Sequence, residues 1–123
     1  MSKKFTLIIK NGNCFIDGKL ITIDIGIIDK KIAKIGKLQQ EKSVQTIDAH
    51  KKMVLPGIID TQVHFREPGS TDAEDLESGS RAAVLGGVTA LFEMPNTNPP
   101  TSNLIEFDKK LQAAKNRMHT NYA

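Results

Sequence analysis

The sequence predicts an α/β protein in which a β-rich segment precedes the first two βα units of an incomplete, TIM-type parallel barrel. In residues 5–49, short apolar runs are separated by turn residues every ~8 to 12 positions, which is typical of a β-sandwich or a small barrel. After Met53 the pattern becomes strand, loop, helix, strand, loop, helix, the order in which a parallel α/β layout begins. We therefore divide the chain into residues 1–53, part of a β-subdomain, and residues 54–123, the start of the barrel.

Turn residues organise the first segment. Residues 5–9 form an apolar run that we expect to end in a turn over residues 11–13, and Asp17-Gly18 is typical of a hairpin turn. Residues 21–25 alternate apolar and polar side chains, as a half-buried strand does. A second hairpin turn is expected over residues 29–31. The segment should therefore consist of short, mostly antiparallel strands.

The second segment carries helix boundaries as well as strands. Residues 54–60 form an apolar run that is broken by Pro56-Gly57 and ends at Asp60, and the end of this run should be a buried parallel strand. Thr71 and Glu74 have the spacing of a capping box, which predicts a helix from Thr71 to about Leu85. A strand over residues 88–94 follows, and then a second helix that begins near residues 101–103. The apolar positions of this helix lie on one face: Leu104, Phe107, Leu111, Ala114 and Met118.

Length and composition exclude several classes of protein. A complete barrel takes about 250 residues, so these 123 residues are expected to be a truncated N-terminal piece, inactive alone. The net charge is only +3 and the lysines are scattered, which argues against a nucleic-acid partner. The apolar runs are shorter than the ~20 residues of a membrane span. The single cysteine, Cys14, excludes an internal disulfide, and we expect a cytoplasmic protein.

Polar side chains follow the first strand of the second segment. In an extended strand, Asp60, Gln62, His64 and Arg66 share one face. The active sites of parallel barrels lie at the carboxyl ends of the strands. Histidine is a common zinc ligand and arginine presents a planar fork to carboxylates. Asn96, just past the second strand, should lie on the same rim. These residues predict a site at one end of the barrel.

Each of these residues also has a structural interpretation. His64 alone is more often structural than a metal ligand, Arg66-Glu67 is compatible with a plain surface ion pair, and Asn96 with a turn residue. His50 and His119 have no partners at useful spacing and are expected to be surface residues. From spacing alone, the second segment is a partial α/β barrel with a candidate site at one end.

The combination of motifs is more specific than any of its parts. It comprises LPGIID at residues 55–60, VHFREPG at 63–69, EDLESGSRAA at 74–83, GGVT at 86–89 and EMPNTNP at 93–99. Together these segments resemble the first two βα units of dihydroorotases, which are cyclic amidohydrolases. The resemblance covers nearly the whole chain and is strongest over residues 55–100.

The resemblance implies an amidohydrolase-type barrel that carries a β-sandwich built from both ends of the chain. It implies reversible ring closure of N-carbamoyl-L-aspartate to L-dihydroorotate, in pyrimidine synthesis, with one or two Zn²⁺ ions. His64 would be a metal ligand, and Arg66 and Asn96 would hold the substrate's carboxylate. The other ligands and the catalytic aspartate would lie beyond Ala123. A homo-oligomer is also implied.

The chain departs from the family pattern at Gln62, where the resemblance leads us to expect a ligand histidine. A glutamine carbonyl oxygen is a much poorer zinc donor than imidazole. The site then uses one metal, or keeps Gln62 as a weak ligand, or belongs to a non-catalytic homologue that supports a partner such as aspartate transcarbamoylase. Another cyclic-amide hydrolase, such as a hydantoinase, dihydropyrimidinase or allantoinase, is the alternative enzyme.

Overall fold

The structure, a computed structural model, describes residues 4–123. Contacts within the chain divide it into two units, Met1–Pro56 and Gly57–Ala123. The strands of the first unit are β1 (Phe5–Ile16), β2 (Lys19–Ile28), β3 (Lys31–Gly36), β4 (Ser43–Asp48) and β5 (Met53–Val54). They form one mixed sheet in the order β3-β2-β1-β4, and β5 also pairs with β1. Strands β1, β2 and β3 are antiparallel neighbours, whereas β4 and β5 run parallel to β1.

The two hairpin turns are confirmed. Asp17 and Gly18 connect β1 to β2 with φ angles of 49° and 77°, and Asp29 and Lys30 connect β2 to β3 with 50° and 66°. Positive φ at both central residues is the turn geometry that matches the twist of paired strands. The two turns make β1, β2 and β3 antiparallel neighbours, but β1 and β2 are longer than expected, at 12 and 10 residues.

The turn predicted over residues 11–13 is wrong. Strand β1 continues through this stretch, and the pairing with β2 shifts register between Ile9 and Gly12 while Asn11 adopts a φ of 57°. The extra residue is a β-bulge. The buried carboxylate of Asp24 holds it, because one oxygen accepts from the Asn11 amide at 3.0 Å and the other from the Leu38 amide at 2.9 Å.

The core of the first unit is built from β1 and the segment that follows β3. Phe5, Ile8 and Leu38 form a buried cluster, and Ile28 packs against it. Other apolar side chains of the sheet, such as Ile32 and Val44, are exposed. Residues 4–56 thus supply a single sheet, and the second layer of a β-sandwich stays a prediction.

The second unit has the predicted parallel α/β layout. Its elements are β6 (Ile58–Val63), α1 (Leu76–Leu85), β7 (Val88–Glu93), α2 (Leu104–Ala114) and β8 (Asn121–Tyr122). The strand order is β6-β7-β8, and both strand pairs are parallel. Phe65, Leu76, Leu91 and Ala114 form its buried core, with Met118 packed against them. The α/β class is therefore confirmed.

Strand β6 is not buried, contrary to prediction. Ile58 and Ile59 are 56% and 61% exposed, whereas Leu91 of the central strand β7 is 1% exposed. Helix α1 packs on β7 and on α2. The described elements therefore cover the central strand rather than β6.

Helix α1 begins later than predicted. Residues 71–74 form a turn, in which the amides of Ala73 and Glu74 donate to Ser70 O. The capping box consists instead of Asp75 and Ser78: the Ser78 amide donates to Asp75 Oδ1 at 2.7 Å, and the Asp75 amide donates to Ser78 Oγ at 3.1 Å. The cap at Gly86 and the φ of +90° at Gly87 confirm the predicted end.

Helix α2 begins where the sequence predicts, because Asn103 Oδ1 accepts from the Glu106 amide at 3.0 Å. Its predicted apolar face is only partly buried. Ala114 is in the core, but Leu104 is 80% exposed, and Met118 lies beyond the helix end at Ala114. No helix within residues 4–123 is long and apolar enough to cross a membrane.

Candidate functional site

Two loops at the carboxyl ends of β6 and β7 meet in the structure. We call residues 64–75 the β6 loop and residues 94–103 the β7 loop. The Met94 amide donates to Val63 O at 2.8 Å, which joins the two loops where they leave the sheet. One residue further into the β6 loop, His64 Nδ1 lies 2.7 Å from Asn96 Oδ1. Since neighbouring parallel strands end at the same edge, the predicted proximity of His64 and Asn96 is found.

The contact between His64 and Asn96 selects one tautomer of the imidazole ring. A carbonyl oxygen only accepts hydrogen bonds, so His64 Nδ1 carries the proton and donates it to Asn96 Oδ1. In the neutral ring, Nε2 then keeps its lone pair. A histidine whose other nitrogen is held in this way is oriented as metal-ligating histidines usually are.

Arg66 and Asn96 line the same small hollow. Its volume is about 140 Å³, and the other lining residues are Phe65, Pro68, Ser70, Thr97 and Asn98. The guanidinium of Arg66 and the amide N–H₂ of Asn96 are both hydrogen-bond donors. Arg66 takes part in none of the ion pairs within residues 4–123. The hollow can therefore accept an anionic group such as a carboxylate.

The predicted alignment of four side chains on one strand face is only partly right. Strand β6 ends at Val63, so His64 and Arg66 lie in the β6 loop. The pairing with β7 also shifts register between Asp60 and Val63, and the Gln62 amide donates to Asp60 Oδ1 at 3.0 Å. Gln62 is exposed near the end of the strand. Across residues 4–123, no three His, Cys, Asp or Glu side chains are grouped to hold a metal.

Glu93 and Lys110, which the sequence pattern did not single out, contact both loops. Glu93 Oε1 accepts from the Phe65 amide at 3.0 Å, and Glu93 Oε2 lies 2.6 Å from Lys110 Nζ. Lys110 also donates to Met94 O at 3.2 Å and to Thr97 Oγ1 at 3.5 Å. One indication was present in the sequence, because Lys110 lies three residues after Phe107 on the apolar side of α2.

The Arg66–Glu67 ion pair, one alternative at Arg66, is not formed. Glu67 pairs with Arg117 instead, with 2.8 Å between Nη1 and Oε1 and 2.9 Å between Nη2 and Oε2. Arg117 also contacts Asp75 at 3.3 Å, and the Leu76 amide donates to Glu67 Oε2 at 2.9 Å. The hydrogen bonds from Arg117, followed by the one from the Leu76 amide, hold the pKa of Glu67 below its ordinary value.

His119 has partners that its spacing did not reveal. Its Nε2 lies 2.8 Å from Glu77 Oε1 on α1, and its amide donates to Ser80 Oγ at 3.1 Å. These contacts attach the segment before β8 to the helix. His50 is exposed, as expected. Cys14 is buried in β1, and burial, reinforced by the charge of Asp24, raises the pKa of its thiol, so it is a poor nucleophile.

The family model described as "Amidohydrolase family" matches residues 53–122. The chain is 46% identical over 100 residues to a dihydroorotase of Carboxydothermus hydrogenoformans, covering 79% of this chain and 23% of that protein. It is 42% identical over 120 residues to an allantoinase of Rubrobacter xylanophilus, covering 97% and 26%. An L-hydantoinase (dihydropyrimidinase) structure from Arthrobacter aurescens superposes with a TM-score of 0.86 at 33% identity, covering 97% and 27%.

The allantoinase and hydantoinase matches span both units, and the family model covers the second; all three include the segments that carry His64, Arg66 and Asn96. The chain spans about a quarter of the length of the curated relatives it matches. The resemblance to dihydroorotase-like amidohydrolases is confirmed, and the chain belongs to the amidohydrolase family.

Proposed function

We propose that the whole protein is a dihydroorotase, which interconverts L-dihydroorotate and N-carbamoyl-L-aspartate reversibly in pyrimidine synthesis. The observation that carries this proposal is the hollow lined by both Arg66 and Asn96. Dihydroorotate bears a carboxylate on its ring, whereas hydantoin and allantoin bear none. Two residues with donor side chains, one of them cationic, line one hollow and suit that carboxylate.

In this proposal each residue has a separate task. The planar fork of Arg66 pairs with the substrate carboxylate and fixes its orientation. Asn96 donates through Nδ2, because its Oδ1 already accepts from His64. The same amide thus links the group that positions the substrate to the histidine proposed as a metal ligand.

The residues of this chain fit part of a zinc site. His64 Nε2 is a suitable ligand because Asn96 holds the opposite ring nitrogen, and Gln62 offers a weaker carbonyl oxygen. When bound, zinc supplies a hydroxide nucleophile near neutral pH and polarises the amide carbonyl. We propose that other ligands come from outside residues 4–123, in the remainder of a TIM-type barrel, and that the first unit completes a β-sandwich. One metal ion or two are both compatible with this donor set.

The experiment is an assay of the protein encoded by the complete gene, with L-dihydroorotate, hydantoin and allantoin as substrates. We expect turnover of dihydroorotate in both directions and little turnover of the two neutral rings. Turnover of allantoin or hydantoin alone would reject the proposal in favour of a related cyclic-amide hydrolase. The similarity to an allantoinase over 97% of the chain makes that the second candidate.

A third candidate follows from Gln62, which weakens the metal site. A non-catalytic homologue would bind no stoichiometric zinc, turn over none of the three substrates and act through a partner such as aspartate transcarbamoylase. Metal analysis of the purified complete protein separates this candidate from the enzymes. Size-exclusion chromatography of the same sample tests the proposed homo-oligomer.

A further inference from the structure

A largely, but not fully, buried ion pair lies beneath the two site loops. The side chains of Glu93 and Lys110 are only 10% and 12% exposed. Buried charges are retained only when each is paired and its remaining hydrogen-bonding groups are satisfied. The partners of this pair are therefore informative, because they show what the two charges hold in place.

The partners lie in both loops. Glu93 Oε1 accepts from the amide of Phe65, the residue between His64 and Arg66. Lys110 donates to Met94 O and Thr97 Oγ1, which flank Asn96 in the β7 loop. Glu93 thus contacts the backbone next to two proposed site residues, and Lys110 contacts the loop that carries the third.

We propose that Glu93 and Lys110 are positioning residues, and that together they set the separation of Arg66 and Asn96 across the hollow. The two loops also touch directly, through the Asn98 amide and Pro68 O and through His64 and Asn96. The ion pair adds a link beneath these contacts, because it connects Glu93, bound to the β6 loop, with Lys110, bound to the β7 loop. A substrate carboxylate that bridges Arg66 and Asn96 needs both donors at fixed positions. The functional consequence rests on the dihydroorotase proposal, whereas the positioning of the loops does not.

The first experiment measures amide hydrogen exchange in the complete wild-type protein and in Lys110→Met. Methionine keeps an apolar side chain of similar length but removes the donors to Met94, Thr97 and Glu93. We expect exchange in peptides of both site loops to accelerate by at least about tenfold, since a charged hydrogen-bond donor is lost. Peptides of α1 and β7 should exchange as in the wild type.

The matched control is Lys109→Met, which removes the neighbouring lysine of α2, whose side chain is 67% exposed and pairs with Glu106. This variant should leave the exchange of both loops unchanged. Lys110→Arg, which keeps the positive charge, should restore most of the protection. If Lys110→Met does not fold, Glu93→Gln is the milder variant, because it keeps an acceptor for the Phe65 amide and removes only the charge. In Glu93→Gln, the increase in exchange rate over the wild type should then be larger in the β7 loop than in the β6 loop.

The second experiment separates KM from kcat for L-dihydroorotate. Because both residues position the carboxylate-binding donors, Lys110→Met should raise KM about tenfold and change kcat much less. Unchanged loop exchange in Lys110→Met and Glu93→Gln would overturn the proposal. The proposal would also be overturned if exchange accelerated equally in the two loops, α1 and β7, because the ion pair would then stabilise the whole unit rather than the loops. If the wild type does not turn over dihydroorotate, the proposed function fails, while the exchange data still decide the positioning role.

Discussion

Arg117 pairs with both carboxylate oxygens of Glu67, at 2.8 and 2.9 Å, although the two residues lie far apart in the sequence. Glu67 follows Arg66 in the β6 loop, and Arg117 follows the end of α2. The same carboxylate accepts from the amide of Leu76, the first residue of α1. One ion pair thus connects the loop of the candidate site to both helices of the second unit.

This arrangement predicts a specific loss of stability in acid. The pKa of Glu67 in the folded protein lies below its ordinary value of 4.5. A lowered pKa means that the ionised carboxylate contributes stability above the ordinary pKa, and that this contribution is lost as the pH falls through the folded value. We expect the complete protein to lose stability steeply below about pH 5, and Glu67→Gln to flatten that part of the curve. Thermal unfolding midpoints between neutral pH and the acid limit of solubility provide the measurement.

Arg117→Met should flatten the same part of the stability curve, because it removes the largest cause of the shift in Glu67. Parallel curves for the wild type and both variants would show that the pair has no net effect on acid stability. The pKa of Asp75 is also lowered, mainly by hydrogen bonds from Ser78. The stability of Glu67→Gln should therefore still fall in acid, but less than that of the wild type.

A substitution at Arg66 tests how the substrate is held. Arg66→Met should raise KM for L-dihydroorotate by about tenfold or more, because a charged hydrogen bond to the carboxylate is lost. Steady-state kinetics of the complete protein provide the measurement. Arg81→Met is the control, since Arg81 is an exposed arginine of α1 that pairs with Glu77. Equal values of KM in the wild type and Arg66→Met would exclude carboxylate binding by Arg66.

Restoring the histidine that the family pattern leads us to expect tests the metal site. Gln62→His should tighten zinc binding by the complete protein by at least about tenfold, because even indirect supports of zinc ligands have effects of this size. Zinc titration against a competing chelator measures the change. Gln39→His adds a histidine to an exposed loop of the first unit and serves as the control. Identical zinc affinities in Gln62→His and the wild type would place residue 62 outside the metal site.

Gly79 of α1 packs closely against Phe65 of the β6 loop. A Cβ atom added to Gly79 would lie 2.5 Å from Phe65 Cε1, and the Phe65 ring is buried in the core. Alanine normally favours a helix over glycine by about 1 kcal/mol, but here overpacking costs roughly 1 to 3 kcal/mol. Gly79→Ala should therefore lower the free energy of unfolding, as measured by denaturant titration. In Gly86→Ala the nearest contact of the added Cβ is 3.4 Å, so this control should be close to neutral.

The parts of the fold that follow local rules were predictable from the sequence. The turns at Asp17-Gly18 and Asp29-Lys30 need only two adjacent residues, and the end of α1 needs only its glycines. The β-bulge at Asn11 was missed because the carboxylate that stabilises it, Asp24, approaches from the neighbouring strand. The start of α1 was missed for a different reason: Thr71 and Glu74 have the same spacing as Asp75 and Ser78, which form the capping box in the structure.

The candidate site divides in the same way. His64, Arg66 and Asn96 could be proposed as candidates because the strand ends and the family resemblance mark them. Glu93 and Lys110 were not, since the role of each depends on a partner in another element. Charged residues that lie on an apolar helix face, as Lys110 does, are the pattern by which such pairs can be sought in other sequences.

Exposed apolar side chains predict how residues 1–123 behave when they are expressed without any further chain. Leu85, Leu104 and Ile105 are 85%, 80% and 67% exposed, and Ile59 of the edge strand β6 is 61% exposed. Apolar patches and unpaired strand edges favour association between copies. We expect this isolated chain to aggregate and to show no sharp thermal transition, by light scattering and circular dichroism. Ile59→Lys, which puts a charge on the edge strand, should reduce the scattering, whereas a monomeric wild-type chain with a sharp, cooperative transition would show that these exposed surfaces are tolerated.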